Sequence, residues 1–275
     1  MSPSTASIQP AISDFAGGEL LYHVGDDGIA VVTLNRPQAR NALTLAMYEA
    51  LGKICGGIAP GGPVKALVIT GAGEKAFGAG TDITTFRDFK TRDDGLAYES
   101  KMDAILTTIE KTPVPTIAAI AGACTGGGAA IAAVCDIRIC TGDLRFGFPI
   151  SRTLGNCLSM SNLARLATLI GAARTKEILF TARLIEAEEA SAIALVSEVL
   201  PDHATLMARA QELAHQLSSH APLTLRATKE ALRRLADPGF DGNDEDLIAL
   251  CYTSRDFREG MEAFLAKRKP AWSGT

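Results

Sequence analysis

Two glycine-rich turns are the residues of this chain best suited to chemistry. The first is FGAGTDI at residues 77–83 and the second is TGGGAA at residues 125–130. Each follows an apolar, strand-like run, and glycine lets each turn present backbone N–H groups to a ligand. Two N–H groups aimed at one carbonyl oxygen make an oxyanion hole, which stabilises negative charge developing on that oxygen. An acid–base catalyst would want a carboxylate beside the second turn. The chain has Ala129, Ala130 and Ile131 there instead.

The stretch before the first turn offers a rival reading. Residues 71–76, GAGEKA, fit G-x-G-x-x-A after a strand, with Asp93 roughly 20 residues on, as a dinucleotide fold would have them. That fingerprint needs a helix opening at its glycines, and the FGAG that follows opposes one. Nicotinamide-cofactor binding is therefore disfavoured. The six cysteines, Cys55, Cys124, Cys135, Cys140, Cys157 and Cys251, form no CxxC pair. They read as reduced and mostly buried thiols of a cytoplasmic protein. The histidines His23, His203, His215 and His220 show no metal-binding spacing, so no metal is expected.

The elements that must hold the turns come from the apolar pattern. Hydrophobic residues are 47% of the 275 and aromatics only 5%, so aliphatic side chains must fill a substantial core. No apolar run reaches the ~18–20 residues of a membrane span. A net charge of −4 gives no reason to expect nucleic acid. The cluster Lys267, Arg268 and Lys269 is either a solvated helix end or a phosphate contact. The N-terminus has no secretory pattern, and residues 1–17 read as a loose tail rich in Ser, Ala and Pro.

Strands are expected at 28–34, 64–70, 116–120, 135–140 and 197–200. Helices are expected from Thr44 to about residue 58, over 97–110, directly after the GGG turn, over 158–170 and 175–181, and briefly after Glu186. Three longer helical segments follow near 202–219, 221–236 and 243–268. Strands alternate with helices first and helices dominate afterwards. That order predicts an α/β core over 18–200 with a helical C-terminal region over 201–275.

Four segments together resemble the enoyl-CoA hydratase/isomerase, or crotonase, superfamily. They are AVVTLNRPQARNAL at 30–43, VKALVITGAGEKAFGAGTDI at 64–83, TIAAIAGACTGGGAAIAAVCDIRIC at 116–140 and YTSRDFREGMEAFLAKRKPAW at 252–272. The resemblance implies a spiral of ββα units, with C-terminal helices that drive assembly into a homotrimer or a dimer of trimers. It implies an acyl-CoA thioester as the small-molecule partner, with coenzyme A entering as part of the substrate and no separate cofactor. The two oxyanion donors map to the backbone N–H groups of Thr81 and Gly127. Ala79, Gly80, Thr81, Asp82 and Ile83 resemble the loop that contacts CoA, and Phe264 and Lys267 the positions that reach a neighbouring subunit's CoA. Arg40 either touches a CoA phosphate or caps its turn. Asp82 suits an N-cap or loop anchor better than a proton carrier. The three glycines also have a plain structural reading, as a tight strand-to-helix connection.

The chain departs from the family where hydratases place two glutamates. One falls at Ala130; the other falls at Ile150, or at Ser151 across an apparent one-residue insertion. General acid–base catalysis by a placed group contributes ~10²–10⁴-fold, so ordinary hydration should be slow while a backbone oxyanion hole is untouched. Ser151, Arg152, Thr153, Asn156, Cys157, Ser159, Cys124, Thr125, Asp93, Asp94 and Glu99 are the remaining polar candidates near such a pocket. Arg152 is a surface charge if exposed; buried, it would need an anion such as an acyl carboxylate. Cys157 reads as a packing or helix N-terminal residue before a nucleophile. The expectation is an acyl-CoA enzyme with chemistry other than two-glutamate hydration. The alternative is a catalytically silent acyl-CoA-binding protein.

Overall fold

The computed structural model describes residues 13–275 apart from 238 and 240. The chain begins with β1 (Ser13–Phe15), β2 (Leu20–Val24) and β3 (Ile29–Leu34), an antiparallel meander. Helix α1 (Leu45–Gly57) opens at the expected cap, where Thr44 Oγ1 accepts the Met47 N–H at 3.3 Å. Next come β4 (Ala66–Gly71), β5 (Ala76–Gly78) and α2 (Arg92–Glu110). Helix α2 starts five residues earlier than the apolar pattern predicts. The reason is a capping box in which Thr91 and Asp94 satisfy each other's backbone N–H groups.

The second unit is β6 (Thr116–Ile120), β7 (Ala123–Thr125) and α3 (Gly127–Val134). The third opens with β8 (Ile137–Thr141) and β9 (Arg145–Gly147), followed by a single turn α4 (Ile150–Thr153) and the helices α5 (Met160–Ile170) and α6 (Ala172–Thr181). Then follow β10 (Ile185–Glu186), α7 (Ala187–Ala192), β11 (Glu198–Leu200), α8 (His203–Ser218) and α9 (Pro222–Leu235). The segment expected as one helix over 243–268 is two, α10 (Glu245–Tyr252) and α11 (Arg255–Leu265). Ser254 divides them: its hydroxyl donates to the Cys251 carbonyl and accepts the Phe257 N–H, starting a new helix. Of the segment read as a tail, Ser13–Phe15 pairs with β2, and residues 1–12 lie outside the described residues.

Seven strands form one sheet in the order β1-β2-β3-β4-β6-β8-β11, parallel from β3 onward. Four short strands form a second sheet in the order β10-β9-β7-β5. Each of β4, β6 and β8 is followed at once by a strand of the small sheet and then by helix, which is the expected ββα spiral. The three-residue strands β5, β7 and β9 are too short to show a period in the sequence. They matter most here, because the two glycine turns are their continuations.

The large sheet is buried on both faces. Leu67, Ile69, Ala118 and Ile120 point into a core shared with α1, α2 and α3. Their neighbours Ala66, Val68, Ile117 and Ala119 point to the opposite face, where Leu206, Ala210 and Leu213 of α8 cover them. Burial on two faces explains why β4 and β6 read as unbroken apolar runs rather than alternating ones. No helix among the described residues is long and apolar enough to cross a membrane.

Candidate active site

The two glycine turns lie against each other, backbone to backbone. A Cβ on Gly128 would stand 2.2 Å from the Gly78 carbonyl oxygen, and one on Gly126 would stand 3.3 Å from Gly80 Cα. A Cβ on Gly127 would stand 1.8 Å from the Tyr48 hydroxyl. The GGG run therefore serves more than a tight connection: it lets two strand ends approach closer than any side chain permits.

That packing leaves two N–H groups facing outward. Leu43 bridges the first turn, donating to the Gly80 carbonyl at 2.8 Å and accepting the Asp82 N–H at 2.8 Å. In such a bridge the intervening Thr81 N–H points the other way, and it has no acceptor among the described residues. Gly126 donates to the Gly147 carbonyl at 2.9 Å. Gly127 opens α3, so its N–H has no carbonyl one turn back to bond and is likewise free among the described residues. The partial positive charge at the start of α3 favours an anion there. At the far end of the helix, the buried Arg138 guanidinium donates to the carbonyls of Ala132 and Cys135, which satisfies that terminus.

The segment 36–43 clamps the first turn. The buried Asn41 side chain donates to the carbonyls of Ala72 at 3.0 Å and Ala76 at 2.7 Å, and accepts the Arg36 N–H at 2.9 Å. Arg36 in turn bonds the Ala42 carbonyl at 2.7 Å and the Asp82 carboxylate at 2.9 Å. Asp82 also caps the short turn of helix that follows, accepting the Thr84 N–H and hydroxyl at 3.1 and 2.7 Å. The Thr84 bonds and then Arg36 hold its carboxyl below the usual range, so it stays ionised as an anchor.

Thr81, Gly127 and Ala130 line one cavity of about 430 Å³. Its walls include Phe86, Met102, Leu106, Phe148, Ile150 and Leu158. No Lys, Arg or His lines it among the described residues. Two tyrosines reach the Thr81 hydroxyl from opposite sides, Tyr48 at 3.0 Å and Tyr98 at 2.9 Å. Burial pushes both phenols up, so both remain neutral hydrogen-bonding groups. Glu99 is the one carboxylate in the wall among the described residues. Burial, and then the charge of Asp103 one turn along α2, push its carboxyl up.

The other candidates divide clearly. Ala79, Gly80 and Ile83 line the cavity with Thr81, and Asp82 stands behind them. Arg40 has an exposed side chain in a left-handed turn (φ 50°) and contributes its carbonyl, which accepts the Ala79 N–H at 3.0 Å. Arg152 is exposed and outside the cavity wall, so the surface-charge alternative holds and it offers no anion site in this chain. Ser151 turns its hydroxyl away, onto the Leu179 carbonyl at 2.7 Å. Cys157 is exposed rather than packed, whereas Cys55, Cys124, Cys135 and Cys140 are buried. Asp93 is exposed, and Asp94 is spent in the α2 cap. Phe264 and Lys267 are exposed near the end of α11 and do not line this cavity. Tyr48, Tyr98 and Asn41 went unread in the sequence, since lone polar residues inside amphipathic helices or turns carry no spacing signal.

Residues 25–275 match the family model described as enoyl-CoA hydratase/isomerase. A short-chain-enoyl-CoA hydratase of Clostridium acetobutylicum is 35% identical over 244 residues, covering 88% of this chain and 92% of that protein. A crotonyl-CoA hydratase of Syntrophomonas wolfei is 33% identical over 250 residues, covering 89% and 94%. Among solved structures, an enoyl-CoA hydratase/carnithine racemase of Magnetospirillum magneticum superposes with a TM-score of 0.87 at 34% identity, covering 95% of this chain and 97% of that one. An enoyl-CoA hydratase of Bacillus anthracis superposes with a TM-score of 0.82 at 31% identity, covering 94% and 100%. Fold, sequence match and the meeting of the two glycine turns agree: this chain belongs to the enoyl-CoA hydratase/isomerase family.

Proposed function

We propose that this protein binds acyl-CoA thioesters and stabilises an enolate or oxyanion between the N–H groups of Thr81 and Gly127. The observation that carries the reading is the pair of unpaired N–H groups on two turns held in backbone contact, facing one cavity. Removing one such donor from an oxyanion hole typically costs ~10²–10³ in rate, so the pair is a large share of any catalysis here. The hole is backbone and does not depend on the Thr81 side chain.

The acyl group is apolar and uncharged. The wall is aliphatic and aromatic, and a buried carboxylate would find no cation among the described residues lining it. Ala130 and Ile150 both line the cavity where a hydratase would hold its acids, so the chemistry is other than efficient two-glutamate hydration. Ala79 to Ile83 and the Arg40 turn form the CoA side of the site. The exposed apolar residues of α10 and α11, among them Tyr252, Met261, Phe264 and Leu265, support self-assembly into a trimer or a dimer of trimers through this end of the chain.

The test is calorimetric titration with butanoyl-CoA, paired with infrared spectroscopy of the bound thioester labelled with ¹³C at the carbonyl. Saturable binding with the C=O stretch shifted to lower frequency, relative to free ligand, supports the reading. Absence of binding, or binding with an unshifted carbonyl, overturns it.

A further inference from the structure

The helix α2 turns one face toward the cavity, and Tyr98, Glu99, Met102 and Leu106 of that face all line it. Asp103, one turn beyond Glu99, is fully engaged. It accepts the Ser159 hydroxyl at 2.7 Å and lies 3.8 Å from the Arg165 guanidinium. Glu99 has neither an ion-pair partner nor a hydrogen-bond donor among the described residues. A carboxylate left free in an apolar wall is costly to the fold, so its presence calls for a use. Its neighbours on the cavity side are the Tyr98 and Tyr48 hydroxyls, joined through Thr81, which also supplies a proposed oxyanion donor. The wall that would hold acids in a hydratase, at Ala130 and Ile150, is empty of them, while the α2 wall carries one.

We propose that Glu99 is the catalytic acid–base residue of this site and shuttles a single proton between two carbons of an apolar 3-enoyl-CoA thioester. This deepens the acyl-CoA reading and rests on it. The Glu99 carboxylate takes a proton from the carbon next to the thioester carbonyl. The released C–H pair forms a double bond to the carbonyl carbon, and the carbonyl π pair moves to the oxygen, held by the Thr81 and Gly127 N–H groups. The oxygen then returns its pair, the double bonds shift by one carbon, and the far alkene carbon takes the proton back from Glu99. The product is the conjugated 2-enoyl thioester. No water, oxidant or second acid enters the balance, which suits a cavity with one carboxylate.

The test uses the wild-type protein with Glu99→Gln and Glu99→Asp. Conjugation of 3-hexenoyl-CoA is followed by ultraviolet absorbance. Exchange of the α-proton of butanoyl-CoA in D₂O is followed by mass spectrometry, and binding of butanoyl-CoA by calorimetry. The expected result is that wild type catalyses both reactions. E99Q binds within about threefold of wild type but loses ~10²–10⁴-fold in both rates, and E99D keeps an intermediate rate. E99Q running at the wild-type rate, or wild type that binds but exchanges no proton, overturns the assignment of Glu99 and leaves the binding reading intact. Wild type that binds no butanoyl-CoA overturns the binding reading, and the role of Glu99 with it.

Discussion

Alanine at Gly128 separates the role of the glycine turns from ordinary helix behaviour. Gly128 lies in the first turn of α3, where helix propensity alone makes Gly→Ala a gain of up to ~1 kcal/mol. The structure predicts the opposite sign. The new Cβ meets the Gly78 carbonyl oxygen at 2.2 Å and Gly78 Cα at 2.9 Å, and both are backbone atoms with no rotamer to escape into. Relief requires the turns to part by about 1 Å to restore ordinary contact. Overpacking of this kind costs about 1–3 kcal/mol, which exceeds the propensity gain. Parting the turns also moves the Thr81 and Gly127 N–H groups off a common oxygen. G128A should therefore be less stable by about 1–2 kcal/mol in urea unfolding, and its butanoyl-CoA affinity should fall about tenfold, the weight of one hydrogen bond. Gly95→Ala in α2 is the control, because a Cβ there meets nothing within 4 Å. That variant should match or exceed wild-type stability by up to ~1 kcal/mol and bind normally. A G128A protein as stable as wild type with unchanged affinity would refute the close-packing argument.

Further outcomes follow from the same geometry. Thr81→Val keeps the backbone donor but removes the hydroxyl that joins Tyr48 to Tyr98. Thermal denaturation should show a loss of about 1–3 kcal/mol, because the buried Tyr48 hydroxyl loses its partner, while the infrared shift of bound thioester persists. Glu99→Gln should raise the melting temperature near neutral pH. Burial, then Asp103, push the Glu99 carboxyl up, so its ionisation costs more in the folded chain than in the unfolded one. Wild-type stability is therefore lost as pH rises through the folded value, and the advantage of E99Q should vanish in acid, where both states are protonated. The charged and titratable groups facing Glu99 are Tyr98 and Asp103 on α2, Tyr48 on α1, and Arg165 of α5 through Asp103. A melting curve in which E99Q and wild type coincide at every pH would count against an ionisable Glu99 in an apolar wall. Wild type should hydrate crotonyl-CoA poorly; turnover at the rate of an efficient hydratase would contradict the reading of Ala130 and Ile150.

Much of the frame was legible in the sequence because burial leaves a period. The strands β3, β4 and β6 read as β-branched apolar runs, and the cap at Thr44 fixed the start of α1. What escaped was short or locally encoded. β5, β7 and β9 span three residues each, less than two periods of a strand. The early start of α2 rests on Thr91 and Asp94, a reciprocal side-chain cap rather than an apolar pattern. The division of α10 from α11 rests on the Ser254 hydroxyl alone.

The site divides in the same way. Gly126, Gly127 and Gly128 announced close backbone contact, and the empty positions at Ala130 and Ile150 were visible once the four resembling segments were in register. Arg152 could not be placed, because nothing in its neighbours told exposure from burial. Tyr48, Tyr98 and Glu99 come together only when α1 and α2 pack over the first turn, a contact across many residues that no local window encodes. Glu99 stood among several acids on one segment, and only the cavity wall singled it out.

The most direct test of the central claim is a crystal structure of the protein with hexanoyl-CoA. The account predicts the thioester oxygen ~2.7–3.1 Å from the backbone nitrogens of both Thr81 and Gly127, with the α-carbon facing Glu99. A thioester seated elsewhere, or an oxygen bonded to neither N–H, would contradict it.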